Sequence, residues 1–280
     1  MSALLKLFAI LGPALYTLAW ANYGRLFYRD DPFARRTATP LLLVAWSVHL
    51  AGVCLTSAAY RRCPMGNLGE VLAVLVAAVV GVYLIVERRQ GNKYTGFFLL
   101  SLMVPVAILS SVIPAPASPT SPLLRSPFFS LHTLLAIIGY SSFGVSAVYG
   151  VMFLLLYRSL KRQAFGLVFH KLPSLDGLAG MTLTAAIIGF CALGLTILFG
   201  AVWGSHALRE SLLSRSVWAD PKIYLTTFVW LLYGIGIAAR VTARWASRPV
   251  VIWFLAAFVL TILIAVALNT VVPTFHDFNA

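Results

Sequence analysis

The chain alternates between long apolar segments and short polar connections along its whole length. Each apolar segment is close to the ~20 residues that an α-helix needs to cross about 30 Å of hydrocarbon. An α-helix also satisfies its own backbone hydrogen bonds, which an open chain in lipid must do. The pattern therefore predicts an all-α, polytopic membrane helix bundle with about eight transmembrane helices, at residues 3–23, 39–59, 68–86, 95–113, 131–157, 181–202, 223–243 and 249–270.

Composition agrees with a bilayer as the solvent. Hydrophobic residues make up 60% of the 280 residues and charged residues only 10%, which is too little polar surface for a water-soluble domain. No internal repeat or soluble insertion interrupts the segments, so we predict a single membrane domain over residues 1–280. The first segment runs into Asn22-Tyr23-Gly24-Arg25 rather than a small-residue cleavage site, which favours a retained helix over a removed signal peptide.

The net charge of +13 is divided among the short connections. Such a distribution indicates membrane topology and not binding to nucleic acid, which would favour a basic cluster on one face. The connections after the first, third, fifth and seventh segments hold fourteen Lys and Arg residues, and the other side of the membrane holds seven. Because Lys and Arg collect in cytoplasmic loops, the bias predicts that both termini lie outside.

That topology places three distant pieces of the sequence on the outer face. They are His132 at the start of the fifth segment, a tryptophan-bearing connection from Trp203 to Lys222, and His276 after the eighth segment. Two neutral imidazoles can ligate one iron axially, and indole rings can pack against a flat macrocycle. Outer-face cations such as Lys222 suit haem propionates. The arrangement favours a haem-binding mouth, although indoles at the headgroup level and histidines at helix ends also have purely interfacial roles.

Other chemistry finds little support in the sequence. Cys54 and Cys191 fall inside apolar segments and Cys63 stands alone, so no disulfide and no Cys-x-x-Cys redox pair is predicted. Neither a phosphate-binding glycine loop nor a His-Glu-x-x-His motif is present, and no catalytic residue is assigned. Small residues in the fifth and sixth segments indicate close helix approach, namely Gly139, Gly144, Gly189 and Gly194.

Several motifs in order resemble the cytochrome c assembly family of the CcsA, CcmC and HemX type. The most specific are Gly200-Ala-Val-Trp203-Gly204 and Val217-Trp218-Ala-Asp220-Pro-Lys222. Further matches are Cys63-Pro-Met-Gly-Asn67-Leu-Gly-Glu70, Ser130-Leu-His132, Leu172-Pro-Ser-Leu-Asp176 and Phe275-His276-Asp-Phe278. The resemblance covers residues 61–280.

The resemblance implies a haem-handling protein of cytochrome c biogenesis in the bacterial cytoplasmic (inner) membrane. It implies that His132 and His276 are the axial iron ligands of haem b, with Trp203, Trp218, Asp220 and Lys222 shaping the site. The implied partners are apocytochrome c and a ResB/CcsB-like membrane protein. Handling or delivery of haem is expected rather than self-contained catalysis, within or outside a haem lyase complex.

Two alternatives remain open. His49 lies mid-way along the second segment, where an ionisable group is costly unless it is neutral or partnered. It binds a second haem, as intramembrane histidines of the family do, or it forms an interhelical hydrogen bond; Ala238-Ala239-Arg240 lacks the histidine that assembly-type relatives carry there. The whole chain is alternatively a HemX-like regulatory or scaffold membrane protein with weak or no haem binding.

Overall fold

The computed structural model describes residues 3–113, 122–163, 166–209 and 221–271. These ranges contain helices and no β-strand. A 3₁₀ turn at Pro122–Arg125 precedes the fifth α-helix. In chain order the α-helices are α1 (Ala3–Arg29), α2 (Pro32–Tyr60), α3 (Leu68–Gln90), α4 (Gly96–Val112), α5 (Pro127–Lys161), α6 (Leu167–Lys171), α7 (Leu175–Arg209), α8 (Pro221–Val241) and α9 (Ser247–Val271).

The predicted bundle is confirmed, because every predicted segment coincides with one long helix. Seven of these helices have the length and hydropathy to cross a membrane, and α4, with 17 residues, is a shorter apolar helix. The chain is therefore a multi-pass, all-α membrane protein. The orientation of the termini stays a prediction. Most of the proline-rich connection between α4 and α5, residues 114–121, lies outside the described residues.

Most helices extend beyond the predicted apolar segments because capping residues, and not hydropathy, set where a helix begins. The Asp31 carboxylate accepts a hydrogen bond from the Phe33 N–H, and a proline follows at the first helical position. Ser126 caps α5 in the same way by accepting from the Phe129 N–H, so α5 begins at Pro127, ahead of the predicted start at 131. Hydropathy marks only the stretch that lies in hydrocarbon, so polar helix ends escape it.

The long helices run alternately up and down and form two hydrophobic cores. The larger core joins α1 to α5 with the first half of α7 and Val251 of α9, and the smaller joins α5, α7, α8 and α9. We call the end where α1, α3, α5 and α8 begin the cavity end, and the opposite end the far end. The predicted outer face corresponds to the cavity end.

Small residues allow α5 and α7, the most extensive helix pair, to approach closely. A Cβ atom on Gly189 would lie 2.5 Å from Phe143 Cδ1 and 3.0 Å from the Gly139 carbonyl oxygen. The predicted role is therefore confirmed for Gly139 and Gly189. At Gly144 it is wrong, because an added Cβ would meet only Phe258, at an ordinary 3.8 Å.

A buried carboxylate fastens three helices near the far end. Glu87 of α3 is 3% exposed and accepts a hydrogen bond from Tyr23 of α1 at 2.7 Å. The hydroxyls of Thr39 and Tyr83 also donate to it. In the part of the chain that the structure describes, no Lys, Arg or His forms an ion pair with Glu87. We call this group the Glu87 centre.

A polar network closes the far end around Asp30, between α1 and α2. Its carboxylate accepts from Arg35 at 2.6 Å and from the Tyr94 hydroxyl at 2.8 Å, and Lys171 of α6 lies 3.7 Å away. Hydrogen bonds from Arg35 and Tyr94 lower the pKa of Asp30. The five-residue helix α6 is thus tied to the connection between α1 and α2.

Candidate functional site

A cavity of about 560 Å³ lies at the cavity end, among α5, α7, α8 and α9. Its volume falls within the roughly 300–1,000 Å³ of ordinary ligand and cofactor sites. Apolar side chains make up most of the wall, and a histidine, a tyrosine, a lysine and several threonines interrupt it. The residues that line the cavity include Phe129, His132, Tyr140, Gly200, Trp203, Lys222 and Thr226.

His132 contributes its imidazole to the lining of the cavity. It lies in the second turn of α5, and its Nδ1 is 2.9 Å from the backbone carbonyl oxygen of Thr196 on α7. A carbonyl can only accept, so Nδ1 carries the proton and donates. The lone pair is therefore on Nε2. Metal-binding histidines commonly show this arrangement, in which a carbonyl fixes the tautomer and orients the ring.

Gly200 makes room for that ring. A Cβ atom at this position would stand 2.7 Å from His132 Cε1 and 2.9 Å from Nδ1. Such distances are shorter than van der Waals contact, so any side chain here would displace the imidazole. The glycine of the tryptophan motif therefore has a steric role beside the histidine, which sequence reasoning did not identify.

Aromatic rings form one wall of the cavity. The Phe129 and Trp203 rings lie 5.4 Å apart at 56°, one turn before His132 and one turn after Gly200 respectively. Behind them, Cys63 and Leu124 are buried and pack against Phe129. We call Phe129 and Trp203 the aromatic wall.

Lys222 supplies a cation at the cavity. It lies in the first turn of α8 and contributes to the lining, as the sequence predicted for a propionate partner. One turn further along α8, Thr226 Oγ1 lies 3.2 Å from the Tyr140 hydroxyl of α5, which links α5 to α8 at the cavity. The polar groups are thus few and face an otherwise apolar space.

One expectation about this region is wrong in part. The sequence predicted a connection running from Trp203 to Lys222, but α7 continues to Arg209 and α8 begins at Pro221. Both Trp203 and Lys222 are therefore helical, because a helix does not stop where its hydropathy falls. The predicted site residues Trp218, Asp220 and His276 lie outside the described residues.

His49 lies in a different place. It is 9% exposed, and its Nδ1 is 3.1 Å from the Tyr16 hydroxyl of α1. It borders a second, smaller cavity of about 130 Å³ between α1, α2, α3 and α4. The interhelical hydrogen bond proposed from the sequence is present.

An ion pair that the sequence did not reveal lies beside the smaller cavity, which Glu70 helps to line. Arg62 lies between α2 and α3, and both of its terminal nitrogens donate to Glu70, at 2.6 and 2.8 Å. Glu70, which lies in the first turn of α3, therefore has a specific partner. The hydrogen bonds with Glu70 raise the pKa of the Arg62 guanidinium above its ordinary value.

Fold and site together define a polytopic helical membrane protein with a deep, apolar, histidine-bearing cavity at one end. The sequence comparison places it more narrowly. Residues 36–276 match the family model described as Cytochrome C assembly protein, and the chain belongs to that family. The matched range includes His49, His132, Trp203 and Lys222 and ends at His276.

Relatives of two kinds are similar to this chain. Protein HemX of Brevibacillus brevis is 27% identical over 272 residues, 94% of each chain, and Protein HemX of Bacillus subtilis is 24% identical over 95% of each. The Cytochrome c biogenesis protein CcsA of a Synechocystis strain is 22% identical over 77% of this chain and 80% of its own.

One solved structure shares the fold. Cytochrome c Heme Lyase CcmF superposes with a TM-score of 0.60 over 93% of this chain at 17% identity. The chain spans 46% of the length of that protein. The likeness therefore concerns the helix arrangement alone.

Proposed function

We propose that the protein binds haem b in the larger cavity, with His132 as one axial ligand, and holds it for delivery to apocytochrome c. The observation that carries this proposal is the His132 imidazole, whose Nδ1 donates to the Thr196 carbonyl and whose Nε2 is left to bind a metal. Family membership supports the proposal, since cytochrome c assembly proteins handle haem.

The cavity wall supports the same ligand. A porphyrin is a flat apolar plate with two anionic propionates, so it needs an aromatic or aliphatic bed and a cation near its rim. Phe129 and Trp203 provide the bed, and Lys222 provides the cation. When bound, haem supplies the vinyl groups that react with apocytochrome thiols. The residues of this chain bind and orient it.

The second axial ligand in this proposal is His276, with Trp218 and Asp220 completing the site. All three belong to the range that matches the family model. Their assignment rests on the sequence motifs. The proposal also includes a ResB/CcsB-like membrane partner and residence in the bacterial inner membrane, which accord with the family and with the multi-pass fold.

A second candidate function is favoured by the nearly full-length similarity to Protein HemX. In that case the chain is a regulatory or scaffold membrane protein that binds haem weakly or not at all. The cavity would then hold lipid or detergent tails, for which its aliphatic lining is also suited.

Absorption spectroscopy of the purified protein titrated with ferric haem distinguishes the two functions. We expect a low-spin spectrum typical of two histidine ligands, which His132→Ala and His276→Ala each convert to a weaker, high-spin one. His170→Ala is the matched control, because His170 is exposed on α6 at the far end. His49→Ala should also leave the spectrum unchanged.

Each result of this titration supports one of the two functions or tests the assignment of the ligand. A titration in which the spectrum stays that of free haem supports the regulatory function and refutes haem binding. A low-spin spectrum that survives His132→Ala refutes the assignment of the ligand, and a spectrum that changes only in His49→Ala would move the haem to the smaller cavity, which His49 lines.

A further inference from the structure

The Arg62–Glu70 ion pair is largely buried, although it lies at the short connection between α2 and α3. The two side chains are only 5% and 11% exposed, and they meet through two parallel hydrogen bonds. Arg62 Nη1 also donates to the Cys63 carbonyl oxygen at 3.0 Å, and the Gly66 N–H donates to Glu70 Oε2 at 2.7 Å. The connection at residues 61–67 is thereby folded around the pair and anchored to the first turn of α3.

The same connection contacts the wall of the larger cavity. The Cys63 N–H donates to the Leu124 carbonyl oxygen at 2.8 Å, which joins it to the 3₁₀ turn that precedes α5. Cys63 and Leu124 then pack against Phe129, beside Trp203. A continuous set of contacts therefore runs from Glu70 through Cys63 to the aromatic wall and the first turns of α5, where His132 lies.

Stability alone does not account for this pair. Removing two charges from water is costly, and a buried ion pair is often no more stabilising than apolar residues of similar volume. A bidentate guanidinium–carboxylate pair does fix geometry, because two parallel bonds define both distance and orientation. The feature that benefits from a fixed geometry here is the wall that the connection supports.

We propose that Arg62 and Glu70 are positioning residues for the candidate haem site. They hold residues 61–67 so that Cys63 and Leu124 support Phe129 and Trp203, and this sets the wall against which a ligand of His132 packs. Neither side chain touches the ligand. The inference rests on the proposed function for its last step, but its first step concerns the protein alone.

Thiol alkylation tests the first step without haem. In a Cys54→Ala/Cys191→Ala background, Cys63 is the only thiol, and it is 3% exposed with a pKa that burial raises. N-ethylmaleimide should therefore label it slowly. Arg62→Ala should increase the labelling rate at least tenfold by releasing the connection. Electrostatics alone predicts the opposite, because the loss of the nearby cation raises the pKa of Cys63 and slows labelling.

Conservative variants and a distant ion pair complete the design. Arg62→Lys keeps the charge but cannot form both bonds, so an intermediate rate is expected. Asp31→Ala breaks the Arg25–Asp31 pair at the far end and should leave Cys63 protected. If Arg62→Ala and Arg62→Lys both label as slowly as the wild type, the positioning role is overturned.

Haem titration tests the second step. With wild-type protein that binds haem, Glu70→Gln and Arg62→Lys should weaken haem binding about tenfold and shift its electron paramagnetic resonance g-values, while Asp31→Ala leaves both unchanged. Variants with rapid Cys63 labelling but wild-type haem affinity and g-values overturn the link to the site. A wild-type protein that binds no haem refutes the proposed function, and the alkylation result then stands by itself.

Discussion

Replacing Gly200 with alanine tests the central geometry of the site with a single methyl group. The new Cβ would stand 2.7 Å from His132 Cε1 and 2.9 Å from Nδ1, so the imidazole must turn away. Turning breaks the 2.9 Å hydrogen bond to the Thr196 carbonyl. The other side chains that line the cavity are unchanged.

The size of the effect follows from those two changes. A lost hydrogen bond costs about 1 kcal/mol. A side chain held about 30° from its preferred rotamer costs about 0.5–1.5 kcal/mol. Together these amount to about 1.5–2.5 kcal/mol, which corresponds to a roughly ten- to seventy-fold weaker haem affinity at about 1.4 kcal/mol per tenfold. The range agrees with the 10–100-fold losses typical when the hydrogen-bond partner of a metal-binding histidine is removed.

Haem titration followed by absorbance measures this loss, together with the fraction of low-spin haem. Gly144→Ala on α5 is the matched control, because its Cβ would meet only Phe258 ring atoms at 3.8 Å. Both substitutions add the same helix propensity, so that contribution cancels in the comparison. Equal haem affinity in the two variants would refute the assignment of His132 Nε2 as the ligand atom.

Three further predictions concern stability and are measured by thermal unfolding in detergent. Glu87→Ala leaves three hydroxyl donors without their acceptor, so we expect the free energy of unfolding to fall by about 3 kcal/mol or more. Glu87→Gln should lower it by less, and equal losses in the two variants would contradict a hydrogen-bonding role. Phe143→Ala removes a fully buried ring stacked 3.5 Å from Tyr233 and should cost about 3–5 kcal/mol, whereas a cost below 1 kcal/mol would show that the second core contributes little. Asp30 has a lowered pKa in the folded protein. Its ionised carboxylate therefore contributes to stability above its unfolded pKa of about 3.9, and this contribution is lost as the pH falls below that value. Asp30→Asn should abolish this part of the pH dependence of stability.

The sequence was sufficient for the helices, because a membrane imposes one requirement on every segment that crosses it. The capping residues that set where a helix begins are less visible in a hydropathy pattern. The segment predicted at 39–59 belongs to a helix that begins at Pro32, since Asp31 caps it before the apolar residues start. Similarly, Glu87 follows directly on the apolar segment predicted at 68–86 and precedes Arg88 and Arg89, so it resembled an interfacial charge although it is buried.

The site was predictable only as far as residue types and topology allow. His132, Trp203 and Lys222 were expected on one face, and the structure brings all three to one cavity. The acceptor for His132 could not be predicted, because it is a backbone carbonyl and carries no signature in the side chain of Thr196. The pairing of Arg62 with Glu70 was equally hidden, since eight positions separate two residues that a turn brings together.

The two-core arrangement has a consequence for how a large ligand reaches the cavity. Among the spanning helices, α8 belongs only to the smaller core, and its buried residues are Val229, Tyr233 and Gly236. Displacing α8 therefore sacrifices contacts in that core alone and leaves the packing of α1 to α4 intact. A guest that entered the cavity sideways from the bilayer by displacing this helix would therefore disturb the smaller core alone.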